Sequence, residues 1–396
     1  TIYRLEFADG TPDKILLISG NPDWHDGKGS IGGFNFSLSD DEGKTWSEFE
    51  LCFSKKDEHT VLPIVSMASL TRLKENGKFV DKWMALFHDR HFHNYKTILS
   101  FDKNGKMQWS EPEKYFSSYR KIEKGSNMCE VECIRSDAGK GDEICLLTRS
   151  NTKKINSLIT FSTDEGKTWT EPVELVPGDV GGRGPVKNQM IRLSNGALLA
   201  PGSTEDLADR WESWTDYSED NGKTWKLSAP VAFELPDGTI CNRKEELPDE
   251  GEGLIQPAIW EDPAHDGRVY MLARTNLKWI YRSESKDFGR TWSVARPTDM
   301  PNNNSGIGAT FMDCGVLGLV CNPIGENWGP RTPLCLFLSD DNGATYPIRI
   351  ELENTPHQPG IEFSYPSIIA DGDKLHIVYT ASKKKIGYAL VKVENK

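Results

Sequence analysis

The sequence lacks several features that would point to particular classes of protein. None of its apolar runs approaches the ~20 residues that a membrane-spanning helix needs. Positive charge is in deficit, because 47 Lys and Arg stand against 59 Asp and Glu and leave a formal net charge of −12. This balance argues against nucleic acid or an anionic membrane as a partner. An anionic sugar can still bind to such a protein if arginines are concentrated in one pocket.

The eight cysteines form no C-x-x-C pair, which argues against a zinc site. They lie scattered, several of them inside apolar strand-like runs, and we interpret them as buried free thiols that fill core positions. No metal site is predicted, and no cofactor is expected, although a bound calcium ion stays compatible with the sequence.

The chain starts directly in a strand-like run at residues 3–7, without a signal peptide. A trimmed secreted, periplasmic or cell-surface protein would look the same, so the compartment is left open. No linker-like or low-complexity stretch divides the chain, which predicts one domain over residues 1–396. With 35 Gly and 22 Pro, the sequence is rich in turn residues, as expected when many short strands are joined.

One sequence pattern, S-x-D-x-G-x-T-W, is repeated along the chain. Clear copies begin at Ser39, Ser162, Ser218, Ser285 and Ser339, the last with Tyr for Trp, and a degenerate copy begins at Ser100. Successive copies are 54 to 67 residues apart, which leaves room for one four-stranded antiparallel sheet each. In such a turn Asp accepts backbone hydrogen bonds, Gly permits positive φ, and the Trp ring packs between sheets. These aspartates are therefore predicted to be structural.

Each repeat is preceded by two more strand-like runs, which gives seven units of the same kind. The predicted strand pairs are 3–7 with 15–19, 67–70 with 83–87, 130–134 with 144–148, 189–193 with 197–200, 257–260 with 269–273, 308–312 with 317–321, and 366–369 with 375–379. The seventh unit lacks the repeated turn. The sequence thus predicts an all-β protein, a β-propeller of four-stranded antiparallel blades, with seven blades counted and six as the alternative.

Polar residues follow the second strand of nearly every unit. In a four-stranded blade the start of the first strand and the end of the second share one face, opposite the repeated turns. The residues at these positions predict a polar cup that binds substrate. Its members at strand ends and starts are Asp23, Asp26, His88, His91, Arg149, Glu205, Arg274, Lys187, Asn188, Glu252, Gln256 and Tyr365.

The repeated turns are the Asp boxes of the sialidase superfamily, which the sequence resembles over nearly its whole length. Sialidases bind the substrate carboxylate with three arginines. One of these ends a strand after an apolar-Ala run, as Arg274 does, and another precedes an Asp-box strand, as Arg331 does. The third of the sialidase arginines belongs to an Arg-Ile-Pro motif, which is absent here. Arg4 is separated from the following strand by roughly the same distance as that arginine is in sialidases. The resemblance implies an exo-acting glycosidase that removes a terminal carboxylate-bearing sugar, such as sialic acid, from an anionic glycan.

The resemblance also implies a tyrosine in the reaction, at Tyr365. The anomeric carbon of sialic acid bears a carboxylate, which repels a carboxylate nucleophile but not a phenol that a nearby Glu deprotonates. The position of that Glu holds Gln256 here, with Glu252 shortly before it. Asp23 or Asp26 is a loose match to the general acid.

Two alternatives belong to other functional classes. The runs around Lys187–Gln189, Gln256 and Arg331 also resemble a broad group of Asp-box repeat proteins, some of which are rhamnose–glucuronate lyases or glycosidases that use histidine. A lyase needs a base for the proton α to a uronate carboxylate, and His88 and His91 are candidates. The other alternative is a propeller that binds glycans without catalysis.

Overall fold

The structure is a computed structural model, and its described part comprises residues 1–20, 32–57, 61, 63–64, 69–115, 128–150, 157–175, 187–206, 208–222, 224–248, 251–383 and 385–394. Contacts between Cα atoms divide the chain into two compact units, Thr1–Gly182 and Arg183–Lys396, which are described separately below. The prediction of one domain stays a prediction. Among the described residues, no helix is long and apolar enough to cross a membrane.

The first unit contains three antiparallel sheets. Its strands are β1 (Ile2–Leu5), β2 (Lys14–Gly20), β3 (Phe34–Ser39), β4 (Glu50–Cys52), β5 (Ser69–Glu75), β6 (Lys78–His88), β7 (Asn94–Phe101), β8 (Met107–Trp109), β9 (Glu113–Lys114), β10 (Met128–Arg135), β11 (Ile144–Ser150), β12 (Leu158–Ser162) and β13 (Val173–Glu174). The sheet orders are β1-β2-β3-β4, β5-β6-β7-β8 with β9 beside β7, and β10-β11-β12-β13. Short 3-10 turns lie at Lys55–Asp57 and Asp137–Gly139.

The second unit contains the remaining strands. They are β14 (Ile191–Arg192), β15 (Leu198–Glu205), β16 (Arg210–Ser218), β17 (Lys226–Leu227), β18 (Phe233–Glu234), β19 (Ile240–Cys241), β20 (Glu252–Glu261), β21 (Val269–Thr275), β22 (Trp279–Ser285), β23 (Arg296–Pro301), β24 (Gly308–Phe311), β25 (Leu317–Cys321), β26 (Leu334–Ser339), β27 (Ile348–Glu353), β28 (Phe363–Asp371), β29 (Lys374–Ala381) and β30 (Lys385–Lys392). A short 3-10 turn lies at Lys244–Glu246.

The sheets of the second unit follow the same up-and-down order as those of the first. Strands β20 to β23 follow one another in a row of four, strands β24 to β27 form a four-stranded sheet, and strands β28 to β30 form a three-stranded sheet. A short parallel pairing of β16 with β20 joins the β14–β17 strands to the β20–β23 strands. Each predicted strand pair overlaps an antiparallel pair of the structure. The predicted class, an all-β protein of four-stranded propeller blades, is therefore confirmed, whereas the number of blades stays a prediction.

Apolar side chains of neighbouring sheets pack against one another within each unit. One core of the first unit joins Leu16 and Phe34 of the first sheet to Trp83 and Leu99 of the second. In the second unit, strands β21, β25 and β26 are buried along their whole length, because they lie in the middle of sheets covered on both faces. Every cysteine is a free thiol, and most are buried as predicted. Cys314 is the correction: it lies exposed in the turn between β24 and β25, where the tight turn leaves its side chain outside the core.

The Asp boxes have the predicted turn chemistry. In the first copy, Asp41 Oδ1 accepts from the Thr45 amide at 2.8 Å and Asp41 Oδ2 accepts from the Thr45 hydroxyl at 2.6 Å. Gly43 has φ of 84°, and its amide donates to Ser39 Oγ. The same bonds recur in the other four clear copies. In the first copy, the hydrogen bonds that Thr45 donates lower the pKa of Asp41 to about 2.

Register shows which end of a sheet carries the boxes. In the β21–β22 pair, Val269 lies opposite Ser285, the first residue of an Asp box, whereas Arg274 lies near the other end of β21. Strand ends such as that of β21 are therefore separated from the boxes by the length of the strand. The candidate site is built from this other end.

Candidate functional site

Arg274 is the most buried cation of the candidate site in the second unit, with 5% of its surface exposed. Its Nε donates to Asn304 Oδ1 at 2.9 Å, and one terminal nitrogen donates to Gln256 Oε1 at 3.2 Å. The guanidinium also lies 5.3 Å from the ring centre of Trp211 and 5.8 Å from that of Trp328. Amides and aromatic faces thus contact this cation and orient it.

Gln256 and Tyr365 are displayed by the same backbone irregularity. In β20 the register with β21 shifts between Ile255 and Ala258, and in β28 the register with β29 shifts between Ser364 and Ser367. Gln256 has φ of 53° and Tyr365 has φ of 49°. A residue other than glycine in this left-handed region is strained, and such residues concentrate at functional sites.

Tyr365 lies beside Arg331. The guanidinium of Arg331 is 5.2 Å from the centre of the tyrosine ring, which is 44% exposed at the surface. Glu362 Oε1 lies 3.8 Å from a terminal nitrogen of Arg331, close enough for an ion pair. The backbone amide of Phe363 donates to the Arg331 carbonyl at 2.8 Å, which anchors the arginine segment to the strand that carries the tyrosine.

A buried network of polar side chains supports the segment of Arg331. Asn303 Nδ2 donates to the carbonyls of Gly329 and Pro330, and Asn322 Nδ2 donates to those of Pro333 and Phe363. Ser305 Oγ joins the two asparagines, because it contacts both side-chain oxygens. These side chains are at most 1% exposed. The network therefore holds the loop that precedes β24, the Arg331 segment and the start of β28 together.

Lys187 and Asn188 contact backbone carbonyls. Lys187 Nζ lies 2.5 Å from the Ile307 carbonyl and 2.6 Å from the Pro366 carbonyl. Burial, and then the charge of Arg274, lower the pKa of Lys187 to about 7. Asn188 Nδ2 donates to the carbonyls of Gln256 and Pro257 at 2.9 and 3.1 Å. Their predicted contact with substrate stays a prediction.

The predicted residues of the second unit are thus linked by contacts, and several neighbours were missed. Trp328 contacts Arg274 and lies on the short segment that leads to Arg331, which in turn contacts Tyr365. A cavity of about 520 Å³ is lined by Trp328, Arg331 and Glu362, among others. Trp211 was missed although it is the second residue of the third strand of its sheet, at the end where the cup was predicted. Glu205 accepts from Trp211 Nε1 at 3.3 Å.

Glu252 begins β20, and its side chain is outside the described part of the chain. Asp23 and Asp26 also lie outside the described residues. The predicted roles of Asp23 and Asp26 as general acid therefore stay predictions. The same holds for a role of Glu252 near Gln256.

Arg149 in the first unit corresponds in position to Arg274. Cys129 pairs with Arg149 in β10–β11 as Ile255 pairs with Arg274, and β10 has the same register shift, with Glu130 at φ of 49°. Here the bulge residue is acidic, and Arg149 donates to Glu130 Oε2 at 2.7 Å. The carboxylate–arginine pair is thus present in the first unit where the second unit has an amide–arginine pair. Arg4 pairs with Asp13 at 3.1 Å across the β1–β2 hairpin.

The predicted histidines lie at the end of β6. His88 is 3% exposed, and its Nδ1 lies 2.9 Å from the Asp89 carbonyl, so Nδ1 carries the proton and Nε2 keeps its lone pair. Burial is the main cause that lowers the pKa of His88. No hydrogen-bond partner of Nε2 is found in the described part. His91 Nε2 accepts from Arg90 at 3.1 Å.

The described residues contain no group of three or more His, Cys, Asp or Glu side chains that could hold a metal ion. The geometry of the second unit instead joins two arginines, a phenol and several amides. Such a set can bind a carboxylate and present a hydroxyl to a neighbouring atom.

Comparison with known proteins assigns the class and then the family. The Asp boxes and the four-stranded sheets define an Asp-box repeat protein of the sialidase superfamily. Residues 77–377 match the model of the BNR repeat-like domain, and the chain belongs to that family.

Three individual relatives are similar to the chain. A curated sialidase of Paraclostridium sordellii is 25% identical over 252 residues, which cover 57% of this chain and 56% of that protein. The chain therefore matches little more than half of that relative's length. Among solved structures, the Hadza microbial sialidase Hz136 is 14% identical with a TM-score of 0.49, covering 91% of this chain and 73% of its own. Trypanosoma rangeli sialidase with the inhibitor DANA is 16% identical with a TM-score of 0.44, covering 98% and 53%.

Proposed function

We propose that the protein is an exo-acting glycoside hydrolase that removes a terminal carboxylate-bearing sugar, sialic acid or a similar one, from a glycan. The observation that supports this most is the contact chain in the second unit from Arg274 through Trp328 to Arg331 and Tyr365. One guanidinium group beside an exposed phenol, and a second that contacts Trp328 on the segment leading to the first, suit a sugar whose carboxylate is attached to the reacting carbon. The curated relative, a sialidase, points to the same substrate class.

In this proposal Arg274 and Arg331 bind the carboxylate, and the Tyr365 hydroxyl attacks or stabilises the anomeric centre. The bond from the anomeric carbon to the leaving oxygen breaks, and that oxygen takes a proton from an acid. Water then bonds to the anomeric carbon, any bond from that carbon to Tyr365 breaks, and the proton that the water loses restores the acid. Asp23 or Asp26 is the proposed acid. Gln256 cannot accept a proton from Tyr365 as a glutamate would, so the base differs from that of the sialidases the sequence resembles.

The test is turnover of a fluorogenic α-sialoside. Tyr365→Phe is expected to abolish turnover while the affinity for free sialic acid is retained, because the ring stays and only the hydroxyl is lost. Arg274→Lys is expected to weaken that affinity at least about tenfold, since lysine cannot form the paired contacts of a guanidinium. Arg349→Lys is the control, because Arg349 lies exposed on β27 and pairs with Glu351. Full activity of Tyr365→Phe would contradict the mechanism.

A second candidate function is a uronate-directed lyase or a glycosidase that uses histidine. It is favoured by His88, whose buried Nε2 has no hydrogen-bond partner in the described part of the chain and which is influenced by the charge of Glu130, the partner of Arg149. The lyase activity would release an unsaturated uronate, visible by its ultraviolet absorbance, and would vanish in His88→Ala. Binding of glycans by the wild type without any turnover would instead indicate a noncatalytic propeller.

A further inference from the structure

Lys187 and Asn188 are adjacent in sequence, and each contacts a different bulge. The Pro366 carbonyl, to which Lys187 donates, follows Tyr365 directly. The Gln256 and Pro257 carbonyls, to which Asn188 donates, belong to the bulge of β20. One dipeptide thus connects the bulge of β20 with the bulge of β28. The dipeptide thus supplies hydrogen-bond donors to backbone carbonyls in both bulges.

The space around the dipeptide leaves little freedom for the side chains. A Cβ atom at Gly306 would lie 2.9 Å from Lys187 Cε and 3.2 Å from Tyr365 Cδ1. A Cβ atom at Gly308 would lie 2.8 Å from the Pro366 carbonyl oxygen. The two glycines therefore let Lys187 pass beside the tyrosine ring and let β24 approach the bulge of β28.

We propose that Lys187 and Asn188 are positioning residues that clamp the two bulges and so set the distance between the Gln256–Arg274 pair and Tyr365. This inference deepens the proposed function and rests on it for its effect on turnover. Lys187 acts on the strand that carries the phenol, whereas Asn188 acts on the strand whose glutamine contacts the buried arginine. Lys187 is therefore expected to affect the reaction at Tyr365, and Asn188 is expected to affect the binding of the substrate by Arg274.

The experiment compares Lys187→Met and Asn188→Asp with the wild type. Lys187→Met keeps an unbranched side chain without a donor, and its kcat is expected to fall about 100-fold with KM little changed, because the phenol is displaced from the reacting carbon. Asn188→Asp keeps the shape but loses the amide donor, and its KM is expected to rise about tenfold because Arg274 loses support. Lys226→Met is the control, since Lys226 is exposed and pairs with Glu219.

A readout without turnover separates the clamp from the proposed function. The protein is labelled with 3-fluorotyrosine, and the resonance of Tyr365 is identified by its loss in Tyr365→Phe. This resonance is expected to shift in Lys187→Met and to stay in place in Lys226→Met. An unmoved resonance in Lys187→Met overturns the inference, whether or not the wild type hydrolyses the sialoside. If the wild type shows no turnover but the Tyr365 resonance still shifts in Lys187→Met, only the proposed function is overturned.

If Lys187→Met does not fold, as judged by its melting temperature, Asn188→Asp still decides the outcome. Its affinity for free sialic acid, measured by calorimetry, is then expected to be about tenfold weaker than that of the wild type. For a folded Asn188→Asp variant, an unchanged affinity together with an unchanged KM overturns the inference.

Discussion

Gln256 and Tyr365 occupy equivalent positions in two strands of the second unit. Each has positive φ, each lies in a bulge of the first strand of its sheet, and each is followed by proline. Proline is suited to such a place because it has no amide to donate to the ladder. The equivalence places an amide beside Arg274 and a phenol beside Arg331. The candidate site is thus a repeated backbone feature that carries different side chains.

This equivalence predicts the effect of Gln256→Glu. A carboxylate at this position would pair with Arg274, as Glu130 pairs with Arg149 in the first unit. The new negative charge beside Arg274 would repel the carboxylate of the ligand, so the affinity for free sialic acid is expected to weaken about tenfold, which corresponds to ~1.4 kcal/mol. Isothermal titration calorimetry checks this. Unchanged or tighter binding would show that Arg274 does not contact the carboxylate of the ligand.

Gly306→Ala is predicted to displace both Lys187 and Tyr365. The new methyl group would lie within 3.2 Å of atoms of both side chains, and overpacking of this kind costs about 1–3 kcal/mol. A lower melting temperature and reduced turnover are expected together. Gly325→Ala is the matched control, because its new Cβ would meet only atoms at 3.6 Å or beyond and its change in stability should stay within about 0.5 kcal/mol. If Gly306→Ala and Gly325→Ala changed the melting temperature and turnover equally, the crowding of Lys187 and Tyr365 by the new methyl group would be contradicted.

The buried amine of Lys187 predicts a pH dependence of stability. Its pKa is lowered to about 7 by burial and by Arg274, so between pH 7 and ~10.4 the unfolded chain binds more protons at this residue than the folded one. The contribution of Lys187 to stability therefore rises with pH in this window, by up to about 1.4 kcal/mol per pH unit. Denaturant unfolding of the wild type and Lys187→Met at several pH values isolates this rise as the difference between them. A difference independent of pH would show that the amine stays charged.

The Asp boxes predict a loss of stability in acid. The pKa of Asp41 is lowered to about 2 by the hydroxyl and the amide of Thr45, so its stabilising effect is complete above ~4 and is lost as the pH falls toward 2. Asp41→Asn is expected to lower the melting temperature at neutral pH and to differ less from the wild type at pH 2. Asp40→Asn is the control, because Asp40 lies outside the box hydrogen bonds and pairs with Lys14. A constant difference across this range would refute the linkage.

Much of the candidate site could be predicted from sequence, because strand ends are local features. Arg274 and Tyr365 were identified from their places in strand-like runs and from the sialidase resemblance. Trp211 was missed, although it lies at the beginning of a third strand, one residue after Arg210. Lys187 and Asn188 were predicted to meet substrate, but the structure places their donors on carbonyls far away in sequence. Such partners depend on long-range packing, which no local pattern encodes.

The sequence by itself determined the class of the fold, since each Asp box closes its own turn through bonds between residues four apart, as Thr45 and Asp41 show. Local chemistry of this kind is independent of the rest of the chain. The tertiary structure decided where β20 and β28 bulge, which side chains those bulges display, and what fills the space between them. Register and bulges are set by pairing between strands and by packing between sheets, so Gln256, Tyr365 and their clamp could only be related once the chain was folded.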